Sequence, residues 1–86
     1  MKMIIKFNPS TQIIAKFKGE MESYRAFVCG YDVDNASRLR MFHQAAGVFC
    51  TYCDIYPTLA DEFCDMWDNV YYPAMEEVAG DFYGGV

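Results

Sequence analysis

The 86 residues suffice for one domain, and a hydrophobic fraction of 53% with seven Tyr, seven Phe and one Trp argues for a packed core and against disorder. The formal charge of −5 is unevenly spread: residues 1–40 hold seven basic and four acidic residues, a balance of +3, whereas residues 41–86 hold eight acids and neither Lys nor Arg, a balance of −8. An acidic half disfavours direct contact with nucleic acid or anionic lipid and favours a basic partner.

"MKMIIKF" is interrupted too early by Lys6 to serve as the apolar region of a signal peptide, and no apolar run approaches the ~18 residues of a membrane helix. These features predict a cytoplasmic protein, and with it four cysteines that are thiols.

In chain order, "MKMIIKF" sets Met3, Ile5 and Phe7 against Lys2 and Lys6, the period of a half-buried strand. "NPST" supplies a turn, and "QIIAKFK" alternates again, with Ile13, Ala15 and Phe17 opposite Ile14, Lys16 and Lys18. Two alternating runs about a short polar loop predict a β-hairpin that ends at Gly19. In "ESYRAFVCG", Tyr24, Ala26 and Val28 alternate with Ser23, Arg25 and Phe27, although Met21, Tyr24 and Phe27/Val28 also fit a helical turn. A third strand is preferred, because a lone hairpin is marginal.

Asp34, Asn35 and Ser37 are N-cap candidates for a helix over about 36–53, whose stripe is Leu39, Phe42, Ala46, Phe49 and Cys53. Gly47 weakens this helix by about 1 kcal/mol relative to alanine and could allow close helix approach. Thr58 with Asp61 resembles a capping box for a second helix, residues 58–78, with the stripe Leu59, Phe63, Trp67, Val70 and Ala74. Pro73 predicts a kink or break near Tyr72, a last helical turn ends at Gly80, and "DFYGGV" is a tail. The fold class expected is α+β: a small antiparallel sheet of two to three strands followed by two helices packed on one face, in a single domain spanning 1–86.

On the second helix, Asp61, Asp65, Asp68 and Tyr72 step around the side opposite the apolar stripe, with Glu62 and Glu76 beside them. Residues four apart rise about 6 Å, so a row of carboxylates here approximates the charge spacing of a nucleic-acid strand. Asp61, Glu62, Asp65, Asp68, Tyr72 and Glu76 are therefore the candidate partner-binding residues. Tyr52, Tyr56, Tyr71, Tyr72 and Tyr83 share the acidic half; Tyr52 and Tyr71 suit the core edge, and Tyr56 and Tyr72 the surface.

Competing chemistry is weaker. The Cys50–Cys53 CxxC has only Cys64 and His43 within reach as further ligands and sits late in a helical pattern, so core thiols are favoured over zinc or redox chemistry. Cys29 suits a buried small residue. His43 lies on a polar helix face without a nucleophile motif, and no glycine-rich phosphate loop is present. No catalytic, metal-binding or cofactor-binding residue is predicted.

The function expected is non-enzymatic inhibition through protein–protein contact with a basic, nucleic-acid-binding surface. In size and charge the chain resembles the small acidic phage and mobile-element proteins that block host defence nucleases, of which anti-CRISPR proteins are the best-known group. No motif carries this resemblance, so no residue roles come with it. It implies the cytoplasm of the host cell and a nuclease complex as partner. The alternatives are a zinc- or thiol-dependent regulatory domain centred on Cys50, Cys53 and Cys64, and a structural subunit of a larger assembly.

Overall fold

The computed structural model describes the backbone of residues 9–84 and the side chains of residues 9–79, and every element in that span is helical. Helix α1 runs Pro9–Val28, α2 runs Asn35–Ile55, and a C-terminal rod is assembled from a 3-10 turn (Pro57–Leu59), α3 (Ala60–Met66), a π turn (Trp67–Tyr71) and α4 (Tyr72–Gly84). The α+β expectation is overturned, because α1 occupies the segment in which strands were expected. The first expected strand, residues 1–7, lies outside the described residues.

The physical reason lies in the reach of the two periods. "QIIAKFK" alternates for only seven residues. Ile13, Phe17, Met21, Tyr24 and Val28 hold spacings of four, four, three and four across the whole segment. Phe17, Met21 and Val28 are buried, and Ile13 and Tyr24 pack against them. Pro9, which suggested a hairpin turn, is the first residue of α1, where its missing N–H costs no helical bond. Gly19 does not end a strand: it sits on the exposed side of α1, where a glycine weakens a helix without breaking it.

Helix α2 begins where expected. Asp34 caps it by accepting the Ser37 N–H at 3.3 Å. Its buried residues are Arg38, Phe42, Ala45 and Tyr52, while Leu39, Ala46, Phe49 and Cys53 are half-buried. The buried face is broader than the expected stripe because α2 is packed from two sides, by α1 and by the rod. Gly47 mediates no close approach: a Cβ there would meet nothing within 4 Å. Tyr56 and Pro57 reverse the chain, and Leu59 N–H closes the 3-10 turn on the Tyr56 carbonyl at 2.9 Å. The expected Thr58–Asp61 capping box does not form; Leu59 caps α3 without a side-chain bond.

In the rod, the break expected near Tyr72 takes the form of a π turn, and the helical path continues through residue 84, past Gly80 and into the expected tail. The π turn lies immediately before Pro73, and the Tyr72 N–H bonds to the Trp67 carbonyl, five residues back. Pro73 has no N–H to offer and its ring crowds the carbonyl four residues earlier, so a widened turn relieves both faults. The turn also resets the phase of the rod. Its buried residues are Phe63, Trp67, Tyr71, Met75 and Ala79, a strict repeat of four. In a regular α-helix four residues overshoot a full turn by about 40°. A π turn rotates each residue by less, which keeps the repeat on one face and turns Val70 outward, 44% exposed.

The three helices form an up-down-up bundle. Val28 meets Arg38 and Phe17 meets Phe49 and Tyr52, so α1 and α2 are antiparallel; Phe63 meets Tyr52 and Tyr72 meets Phe42, so the rod is antiparallel to α2. Phe17, fully buried, joins all three, with its ring centroid 4.6 Å from Phe63, 5.2 Å from Tyr52 and 6.4 Å from Tyr71. Phe49 stacks flat on Trp67 at 4.9 Å.

Polar ties sit at the edge of this core. Tyr52 Oη donates to Glu20 at 2.6 Å, and Tyr71 Oη to Glu22 at 3.1 Å. Buried Arg38 donates Nη1 to the Val28 carbonyl at 2.6 Å and Nη2 to the Val33 carbonyl at 3.0 Å. It thereby satisfies the end of α1 and fixes the connection to α2, a favourable place for a cation.

Burial, and next the hydrogen bond to Glu20, push the Tyr52 phenol above its ordinary value; burial and Glu22 do the same for Tyr71, and burial pushes the Cys53 thiol up to about 11. Each group is held neutral in the fold. Its stabilisation is therefore complete below the unfolded pKa and is lost as pH rises through the folded one. The melting temperature should hold up to about pH 9, the ordinary thiol value, and fall above it, with Tyr52→Phe reducing the fall above pH 10, the ordinary phenol value. Thermal melts across that range check this; a profile flat through about pH 11 contradicts it.

Candidate partner-binding face

With Phe63, Trp67, Tyr71, Met75 and Ala79 turned inward, the rod's outer side carries Asp61, Glu62, Asp65, Asp68, Glu76 and Glu77, all exposed. The five carboxylates expected for a partner are thus all exposed, and Glu77, which the expected set did not include, is exposed beside Glu76. Asp61 and Glu62 occupy the first turn of α3, where the helix dipole favours negative charge. Asp65 accepts a hydrogen bond from Asn69 Nδ2 at 2.9 Å. Among the described residues no carboxylate of the rod has an ion-pair partner, and the ion pair present, Arg25–Glu22 at 2.7 Å, lies on α1.

Tyr72 occupies a different place from the expected one. Its ring centroid lies 5.8 Å from both Phe42 and Trp67, so it flanks the α2 seam and does not continue the row of carboxylates. It remains 42% exposed and borders the acidic surface. The phase shift in the π turn explains its displacement, and it also places Asp68, Asn69 and Val70 consecutively in solvent. Tyr52 and Tyr71 are core-edge residues, as expected; Tyr56 is half-buried, with its ring 5.9 Å from Tyr52.

Cys29 is exposed, not buried: its Sγ lies 3.5 Å from the Ala74 carbonyl, beyond the end of α1. Cys50 is exposed, and Cys53 and Cys64 are half-buried. Among the described residues no three His, Cys, Asp or Glu side chains are gathered as a metal site, and His43 is exposed. Two grooves, of about 400 and 260 Å³, flank α1; the larger is lined by Glu20, Ser23, Tyr24, Phe27 and Met41, and neither reaches the acidic face. No described helix is long and apolar enough to cross a membrane. In comparisons with known proteins, the chain matches no family model, no curated protein and no solved structure.

The phase of the rod yields a discriminating pair of substitutions. Val70→Ala should change stability by less than about 0.5 kcal/mol, as for exposed sites generally. Tyr71→Ala should cost about 3 kcal/mol or more, because the ring is buried and its hydroxyl is bonded to Glu22. Urea unfolding of both variants checks this; equal losses would mean that Val70 shares the core.

Proposed function

We propose that the protein is a non-enzymatic inhibitor that presents the outer face of its C-terminal rod to a basic surface of a nucleic-acid-binding protein complex. The observation that carries this reading is the set of six exposed carboxylates without an ion pair among the described residues. Like charges at Asp61 and Asp65, four residues apart on a helix, cost a few tenths of a kcal/mol, and no adjacent lysine offsets them. A basic partner would convert this local cost into attraction and faster encounter. The spacing of the carboxylates suits a groove built for phosphates. Tyr72 and Val70, exposed at the border, add apolar area of the kind that anchors interfaces. The reading places the protein in the cytoplasm with its partner, a host defence nuclease complex.

The test is a double charge reversal, Asp65→Lys with Asp68→Lys. The variant should melt like wild type, since both side chains are exposed. In capture from bacterial lysate, wild type should retain a nucleic-acid-binding complex that elutes with salt, because exposed charges are screened over about 8 Å at physiological ionic strength. Nucleic acid should displace it, and the variant should fail to retain it. Equal retention by the variant would refute the acidic face as the site. Retention undisturbed by nucleic acid would refute occupation of the nucleic-acid groove.

A further inference from the structure

We propose that the groove between α1 and α2 is a binding site for a small organic cation, an alkyl- or arylammonium ion, held between the Glu20 carboxylate and an aromatic wall. The inference stands apart from the acidic face, which this groove does not reach.

The lining follows from the period of α1. Glu20, Ser23, Tyr24 and Phe27 stand at i, i+3, i+4 and i+7, so they share one side of that helix, and Met41 of α2 completes the groove. That side lies next to the one that carries Phe17, Met21 and Val28 into the core. Tyr24 and Met41 are half-buried and pack against the core, which fixes them in place; Phe27 is left 41% exposed. The volume of about 400 Å³ falls within the range of about 300–1,000 Å³ over which small-molecule sites occur. Five lining side chains are far fewer than the roughly 20–30 residues that a protein partner covers.

The sign of the ligand follows from Glu20. Neither Lys nor Arg is among the five lining residues. Glu20 Oε2 accepts the Tyr52 hydroxyl at 2.6 Å, which holds the carboxylate in place without cancelling its charge. Among the described residues the ion pair present joins Arg25 to Glu22, which line the second groove, so Glu20 is not ion-paired.

The other lining groups suit the same ligand. Tyr24 and Phe27 supply aromatic rings, whose faces attract a cation, and the Met41 thioether adds polarizable surface. The Ser23 hydroxyl is an acceptor for an ammonium N–H. An anion would be repelled by the carboxylate, and a neutral ring would use the apolar wall alone. One carboxylate and one hydroxyl are too few oxygen ligands for a metal ion.

The test uses benzyltrimethylammonium as the probe, with phenylacetate and benzyl alcohol as its anionic and neutral counterparts. Titration of the full chain, followed by NMR of the Tyr24 and Phe27 rings and the Met41 methyl, should give saturable shifts of all three with the cation. Its affinity should exceed that of benzyl alcohol by about threefold or more, and phenylacetate should bind more weakly than either. Glu20→Gln keeps an acceptor for Tyr52; it should weaken the cation by about threefold or more and leave benzyl alcohol unchanged. Phe27→Leu keeps an apolar wall and should weaken the cation alone. The comparison of the three probes on the wild-type chain decides the charge preference even if a variant does not fold. Cation shifts confined to the acidic rod, no saturable shift in the groove, phenylacetate binding as tightly as the cation, or a folded variant of either kind that binds the cation as tightly as wild type would overturn the proposal.

Discussion

The ring of Phe17 is the point at which the three helices become one structure. It projects from α1 into a space bounded by Tyr52 of α2 and by Phe63 and Tyr71 of the rod, and solvent reaches none of it. Burying a side chain of this size contributes about 1.5–3 kcal/mol, and each well-oriented aromatic pair adds about 0.5–1.5 kcal/mol. In a chain of 86 residues, whose core is necessarily small, such a cluster is a large share of the margin. The hydroxyls of Tyr52 and Tyr71 bond to Glu20 and Glu22 of α1 at its edge, so the same side chains that fill the core fix the rotation of α1 against its neighbours.

That constraint propagates to the surface. For Phe63 and Tyr71 both to reach Phe17, and for Trp67 to stack on Phe49, the rod must keep a repeat of four on one side. The π turn at Trp67–Tyr71 makes this possible, and Pro73 favours it at that place. The consequence for function lies on the other side. Asp68, Asn69 and Val70 emerge together between the exposed acids of α3 and those of α4, and Tyr72 is pulled toward the α2 seam. The chemistry of the candidate face thus follows from the phase of the core beneath it.

How much of this was legible differs by element. The α2 helix could be read because Asp34 and the spacing from Leu39 to Cys53 agree on one period. The rod's inward Phe63 and Trp67 and its outward carboxylates could also be read from spacing. Helix α1 could not, because Ile13 and Ile14 are adjacent and satisfy both periods, and because Asn8-Pro9 and Gly19 imitate the boundaries of a hairpin. A wider window, reaching Met21 and Val28, holds the information that decides it. The exchange of Val70 for Tyr71 in the core was hidden for a different reason: a regular α-helix selects Val70, and only the local change of helix type selects Tyr71.

Urea unfolding followed in parallel by far-ultraviolet circular dichroism and Trp67 fluorescence tests the central role of Phe17 most directly. If Phe17 couples the three helices, the two signals should coincide in the wild-type protein, and Phe17→Ala should move both midpoints down together, by an amount equivalent to about 3–5 kcal/mol. A rod whose Trp67 transition separates from the loss of helix in the wild-type protein, or a Phe17→Ala variant with an unchanged midpoint, would contradict this account of the fold.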